Sequence, residues 1–318
     1  MKVYDIFNGD ADGLCALQQL RLADPREATL VTGVKRDIAL LGRVDACPGD
    51  VLTVLDISLE RNAEAARRAL DAGARILWFD HHAPGEIPSH PAFESRIDTE
   101  STVCTSLLVD RYLEGAQRSW AITGAFGDNL GTVAQALAEA SGFSAAETDV
   151  LRRLGQCLNY NAYGDEVSEL LVDPAQLSRR MRPFRDPLAF ARDDPTLARL
   201  EAAMREDMAL ARGVTPYSAA NGVVVIVLPD EPWSRRVSGT LAHAVARDAP
   251  DHAHAVLTPG EGAFTVSIRA PLNAPQRAMD VAKRFGGGGR AGAAGIDGLP
   301  QDRMDDFVSA MCEVYGLR

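Results

Sequence analysis

The chain has 318 residues, is 46% hydrophobic and carries a formal charge of −11. That length suggests two domains, and the apolar content excludes a disordered chain. The acidic balance argues against a broad hold on long nucleic acid or stable binding of duplex DNA, and no apolar run is long enough to span a bilayer.

The N-terminus enters a strand-like run at once, Val3 to Phe7, and has no signal-peptide layout, so a soluble cytoplasmic location is expected. Gly13 to Ala23 then reads as a helix, with Leu14, Leu17 and Leu20 at helical spacing. Strands are expected over Ala28–Val34, Val51–Ile57, Ala74–Phe79 and Arg96–Asp98, and helices over Leu59–Ala72 and Thr102–Leu113. Alternation of this kind predicts a parallel sheet covered by helices. Residues 130 to 175 read as helical, and Ser144-Ala145-Ala146-Glu147 has the form of a capping box. Residues 174 to 194, rich in Pro, Arg and Asp, read as a connector. Its Arg179, Arg180, Arg182 and Arg185 read better as a solvated surface than as a phosphate-facing edge. Thr196 to Arg212 is an amphipathic helix, with Leu197, Leu200, Met204 and Met208 on one face.

A second domain is expected from about residue 215. Val223–Leu228, His254–Leu257 and Phe264–Arg269 read as strands, and Leu241–Ala246 and Met279–Arg284 as helical. The glycine-rich run from Phe285 to Gly295 has little side-chain bulk. It would let a ligand approach the backbone and would offer successive N–H groups to an anion, although a turn or tight packing also explains glycines. Five scattered cysteines form no Cys-x-x-Cys pair and read as buried free thiols. No internal repeat is present.

Chemistry concentrates where strands are expected to end. Asp80-His81-His82 follows the run ending at Phe79, and Asn8-Gly9-Asp10-Ala11-Asp12-Gly13 follows Phe7. Asp56 closes the run from Val51, and Asp128 is placed in the same setting. In α/β folds this edge is where sites are built. Each residue alone reads as a cap or turn former; the set in one domain reads as a site. Clustered carboxylates repel one another, and divalent cations are the natural compensation. Oxygen donors with one imidazole suit manganese or magnesium better than zinc. Two such ions about 3.5–4 Å apart can activate a water and clamp a phosphoryl oxygen.

Asp80-His81-His82, with Asp10-Ala11-Asp12-Gly13, Asp56 and Asp128, resembles the DHH phosphoesterases. These include RecJ-type exonucleases, oligoribonucleases and cyclic-dinucleotide phosphodiesterases. The resemblance covers nearly the whole chain, and the C-terminal part, with Val266-Ser267-Ile268-Arg269 and the glycine run, resembles the DHH-associated domain. It implies an α/β fold, with a parallel-sheet catalytic domain over 1–190, a helical linker over 191–214 and a smaller α/β substrate-binding domain over 215–318. It further implies that Asp10 binds one manganese and Asp12 the other, that Asp56 bridges them, and that His81 and Asp128 complete the second site. Asp80 would orient the imidazole, His82 would lie near the scissile phosphate, and Arg269, Gly287, Gly288, Gly289 and Arg290 would meet the substrate.

Two positions depart from the pattern. Asn8 stands where many members have His and RecJ-type members Asp, and it is a neutral, weaker ligand. Arg290 stands where the family has His; it binds phosphate but cannot accept or shuttle a proton at neutral pH. The expected activity is manganese-dependent hydrolysis of a phosphoester in a dinucleotide, nanoRNA or phosphorylated nucleotide, with magnesium as the other metal and with room for a homodimer. The other readings are a single-strand exonuclease, which needs a basic groove and stacking aromatics, and a nucleotide sensor with an impaired metal site.

Overall fold

Five strands in the first part of the chain pair in parallel, as expected; the fifth, Phe93–Ile97, begins three residues before the expected Arg96–Asp98. The structure, a computed structural model, describes residues 1–316; residues 317 and 318, which close the expected second domain, lie outside the described residues. The chain divides into two units, Met1–Ala202 and Ala203–Arg318.

The first unit contains β1 (Val3–Phe7), α1 (Ala11–Ala23), β2 (Thr29–Val31), β3 (Val51–Leu55), α2 (Leu59–Asp71), β4 (Arg75–Asp80) and β5 (Phe93–Ile97). The helices α3 (Thr105–Tyr112), α4 (Arg118–Gly127), α5 (Gly131–Ala140) and α6 (Ala145–Asn161) follow. Then come α7 (Pro174–Met181), α8 (Pro187–Asp193) and α9 (Thr196–Arg212), within which the units divide. The sheet order is β2-β1-β3-β4-β5, all parallel. β1 lies inside the sheet and its two neighbours continue in opposite directions, so a crevice opens at the carboxyl ends of β1 and β3. Trp78 and Ile6 are fully buried in the apolar layer on one face, beside Leu52, Val54 and Leu70. Alternating side chains on such strands bury both faces, which is why the runs read as continuously apolar.

Several local differences have physical causes. α1 begins at Ala11, two residues early, because Asp10 caps it by accepting the N–H groups of Asp12 and Gly13. β3 stops at Leu55 because Asp56 turns into the left-handed region, φ 58°. The segment 174–194 is not an irregular connector. Asp173-Pro174 and Asp186-Pro187 each supply a capping carboxylate and a proline in the first turn, and two short helices result. Within it Arg179 and Arg185 are exposed, while Arg180 pairs with Asp194 at 2.9 Å. The capping box at Ser144 forms with both reciprocal bonds, but residues 162–173 leave the helix and hold only a 3-10 turn, Val167–Glu169. The cysteines form no disulfide among the described residues, with Cys15, Cys104 and Cys157 buried; Cys47, contrary to expectation, is exposed.

The second unit contains β6 (Ser218–Ala220), β7 (Val223–Val227), α10 (Pro232–Asp248), β8 (Ala253–Pro259), β9 (Ala263–Arg269), α11 (Ala278–Lys283), β10 (Gly288–Gly289), β11 (Ala293–Pro300) and α12 (Met304–Tyr315). Its mixed sheet runs β10-β11-β9-β8-β7-β6, with only β7 and β8 parallel. Val225, Leu257, Ile268, Ile296 and Phe307 form its core.

Glycines set one distance that matters for the site. A Cβ on Gly155 of α6 would stand 2.2 Å from the Thr123 carbonyl oxygen of α4, and one on Gly127 would stand 2.2 Å from the Ala11 Cβ. α4 therefore touches α1 and α6 almost backbone to backbone, and this carries Asp128, its C-cap, to the start of α1. Gly155→Ala should lower stability by about 1–3 kcal/mol, the usual cost of overpacking. Denaturant unfolding against Gly42→Ala, whose Cβ meets open space, checks this; equal midpoints would refute it.

Candidate metal centre

Three carboxylates and an imidazole converge at the carboxyl ends of β1, β3 and β4. Asp12 stands in the first turn of α1, Asp56 directly after β3, and His81 directly after β4. Asp128 reaches them from the end of α4, so its expected place at a strand end is corrected to a helix C-cap. Donor atoms of Asp12, His81 and Asp128 lie within 4.8 Å of one another, as do those of Asp56, His81 and His82. His81 Nε2 is 3.5 Å from Asp56 Oδ1 and 3.9 Å from Asp128 Oδ2.

Each group has its own anchor. Asp12 accepts the amides of Thr105 and Ser106, both at 2.7 Å, at the N-terminus of α3, where helix N–H groups favour negative charge. Asp56 Oδ1 accepts the Thr105 hydroxyl at 3.0 Å. Its left-handed backbone is uncommon for a non-glycine residue, though Asp tolerates it better than most. His81 Nδ1 stands 3.1 Å from the Val103 carbonyl oxygen. A carbonyl only accepts, so Nδ1 donates there, and Nε2 is the ring nitrogen that faces the carboxylates. The carbonyl of Val103, and not Asp80, orients this ring. Asp80 Oδ1 instead accepts the His81 amide at 2.8 Å and contacts His82 Nδ1 at 2.7 Å. Asp80 is fully buried, and its Oδ2 has no partner among the described residues.

Electrostatics reflects the crowding. Burial, followed by the charges of Asp12 and Asp10, pushes Asp56 well above the usual carboxylate range. The same causes push Asp128 up to about 8, against the opposing pull of Lys35 and His82. The bond to Asp80 raises His82, with burial opposing. Burial also raises the thiols of Cys15 and Cys104. Hard oxygens with one neutral imidazole nitrogen make a donor set that fits a divalent ion, which would offset the surplus negative charge.

Lys35, which sequence reading missed, enters this cluster. Its ammonium forms an ion pair with Asp10 Oδ2, donates to Asn159 Oδ1 at 3.0 Å and lies 4.0 Å from Asp128 Oδ1. Burial opposes its charge, but Asp10, Tyr163 and Asp128 raise its pKa overall. Burial would raise Asp10, yet the Lys35 charge and hydrogen bond and the Gly13 amide bring it below its usual value. The only sequence signal was a cation closely following the short strand β2.

The residues expected to meet substrate lie in the second unit. Arg269 ends β9, with its Nη2 3.2 Å from His243 Nε2. Arg290 is exposed. The glycine run is not a row of free N–H groups. The amides of Gly286, Gly287 and Arg290 donate to Lys283, Ala282 and Ala293, and Gly288 and Gly289 pair with β11. Gly289, at φ 142° and with its Cβ position 2.5 Å from the Ala294 Cα, admits only glycine.

No protein-family model matches the sequence, and no curated protein matches it. Solved structures do. RecJ from Thermus thermophilus, in complex with Mn2+, matches with a TM-score of 0.64 at 18% identity, over 100% of this chain and 53% of that one. Exonuclease RecJ bound to manganese matches at 0.59 and 17%, over 99% and 90%. A pGpG-specific phosphodiesterase, PggH, from Vibrio cholerae matches at 0.54 and 14%, over 98% of each chain. The chain has the DHH-family fold. In this DHH fold the first unit supplies the parallel sheet, with its Asp and His cluster at the carboxyl edge, and the second supplies the mixed sheet. This chain spans about half the length of the Thermus RecJ.

The Asp80–His82 contact generates a direct check. In metal-free protein, Asp80→Asn should lower the His82 pKa towards the ordinary 6.5, as read by NMR titration of its ring protons. An unchanged titration would mean that Asp80 does not hold His82.

Proposed function

We propose that this chain is a metal-dependent phosphoesterase acting on a short nucleotide substrate such as a dinucleotide, nanoRNA or phosphorylated nucleotide. The observation that carries this reading is the gathering of carboxylates about His81 at the carboxyl edge of a parallel sheet, with Asp12 and Asp128 in one cluster with it and Asp56 3.5 Å from its Nε2. The DHH fold, shared with a pGpG-specific phosphodiesterase and with manganese-bound RecJ, supports it. The net charge of −11 favours a short anionic ligand over long strands or duplex DNA. Among the described residues no helix is long and apolar enough to cross a membrane.

The residues divide the work. Asp12, Asp56, His81 and Asp128 would hold manganese or magnesium. When bound, such an ion would polarise a phosphoryl oxygen and acidify a water. The α3 amides and the Val103 carbonyl keep the ligands in place before anything binds, which limits reorganisation. His82, tethered through Nδ1 to Asp80 and 46% exposed at its side chain, turns its other nitrogen towards a substrate phosphate as hydrogen-bond donor. Within the second unit, Arg269 and Arg290 are the groups proposed to suit a phosphate, to which a planar guanidinium gives paired bonds.

A second reading, a nucleotide sensor, is favoured by Lys35 within the cluster and by the neutral Asn8. Hydrolysis with manganese separates the readings across a linear dinucleotide, a cyclic dinucleotide, a nucleoside bisphosphate and a long single strand. Turnover confined to short ligands is expected. Asp56→Ala and His81→Ala should each abolish it, with circular dichroism unchanged. Near-full activity in either variant would remove the cluster from the reaction. Preference for the long strand would favour an exonuclease, and binding without turnover a sensor.

A further inference from the structure

Lys35 lies on the loop after β2. That loop is pinned on both sides: the Lys35 amide donates to the Ala162 carbonyl oxygen at 2.9 Å, and its carbonyl accepts from Asn8 Nδ2 at 3.0 Å. A Cβ on Gly9 would stand 2.1 Å from the Gly33 carbonyl oxygen, so this loop and the one after β1 meet backbone to backbone. The Lys35 ammonium is thereby placed on the Asn8 and Asp10 side of the carboxylate cluster. It pairs there with Asp10, donates to Asn159 Oδ1 at 3.0 Å, lies 4.0 Å from Asp128 and sits 5.8 Å from the centre of the Tyr163 ring.

In the two-ion arrangement that the DHH resemblance implies, Asn8 and Asp10 would serve the first ion, and here their atoms are otherwise engaged. Asn8 Nδ2 donates to the Lys35 carbonyl and its Oδ1 accepts the Asp10 amide at 3.2 Å. Asp10 Oδ1 caps α1, accepting from Asp12 and Gly13, while Oδ2 holds the ammonium. On the other side of the cluster, Asp12, His81 and Asp128 keep donor atoms within 4.8 Å of one another.

We infer that the Lys35 ammonium takes the place of one of the two cations, so that this chain holds a single divalent ion among Asp12, Asp56, His81 and Asp128. The ion itself rests on the metal-dependent reading above; the count does not rest on turnover. Charge agrees with the assignment. With all four ionised, as an ion at the site would favour, the carboxylates of Asp10, Asp12, Asp56 and Asp128 against one ammonium leave a surplus of three formal negative charges. One divalent ion reduces this to one, whereas a second would reverse its sign while pressing against a cation already in place. An ammonium is a fixed charge that cannot be removed by chelators, so part of the compensation in this centre is covalent.

Full-length protein, stripped of metal and titrated with Mn2+, gives the count by electron paramagnetic resonance. One bound ion per chain, with no exchange coupling between ions, is expected. Lys35→Ala, which frees Asp10, should raise the count to about two, and Lys35→Arg, which keeps the charge, should leave it at one. Two ions in the unaltered protein, or exchange coupling in its spectrum, would overturn the inference without recourse to any variant. So would a folded Lys35→Ala protein that still binds one. A chain that binds one uncoupled ion but hydrolyses no phosphoester supports the inference and removes the proposed function. A chain that binds none overturns both.

Discussion

Mutual repulsion among buried carboxylates is the constraint on which the rest of the first unit depends. Asp10, Asp12 and Asp56 are each at most 2% exposed, and Asp128 is close by. Two like charges 4 Å apart repel by about 4 kcal/mol at an effective dielectric constant near 20. A fold that gathers several such groups must offset them, and three devices do so here. The N-terminal amides of α3 take Asp12, the start of α1 takes one oxygen of Asp10, and the Lys35 ammonium takes the other. Asp56 and Asp128 receive less, and their raised pKa values record what remains for a cation.

The scaffold around this cluster serves to bring distant segments to one edge. Parallel order puts the ends of β1, β3 and β4 side by side, and the glycine contacts of α4 bring in Asp128. Backbone carbonyls and amides, which substitutions other than proline leave in place, orient His81 and Asp12. Side chains orient the more exposed His82 and the Lys35 ammonium. The groups held by the backbone are thus the more buried ones, and the ring held by a side chain is the more exposed. In the second unit, the glycine run builds a short β10–β11 pairing and a turn in place of an open anion cradle. Phosphate recognition there would fall to the arginines.

Strand positions were legible because both faces of a parallel sheet are covered, so Val3–Phe7, Val51–Leu55 and Arg75–Asp80 are nearly continuous apolar runs. The capping box at Ser144 was legible because it is a purely local pattern. Two Asp-Pro helix starts carried an equally local signal, obscured by the arginine-rich composition around them. β11 carried little signal: Ala293–Pro300 holds three glycine or proline residues, and it becomes a strand by pairing with β9.

By itself, the sequence marked Asp10, Asp12, Asp56 and His81 as candidates for metal chemistry, because their positions at the ends of apolar runs follow from local backbone periodicity; it offered Asp128 too, but in the wrong setting, since that residue caps a helix. Only the tertiary structure decided how these groups share their charges. Val103 orients His81, Asp80 belongs to His82, Asp128 arrives from a helix, and Lys35 binds Asp10. The Lys35 ammonium is also held by Asn159, 124 positions away. Contacts at that separation depend on loop closure and helix packing, which no local pattern encodes.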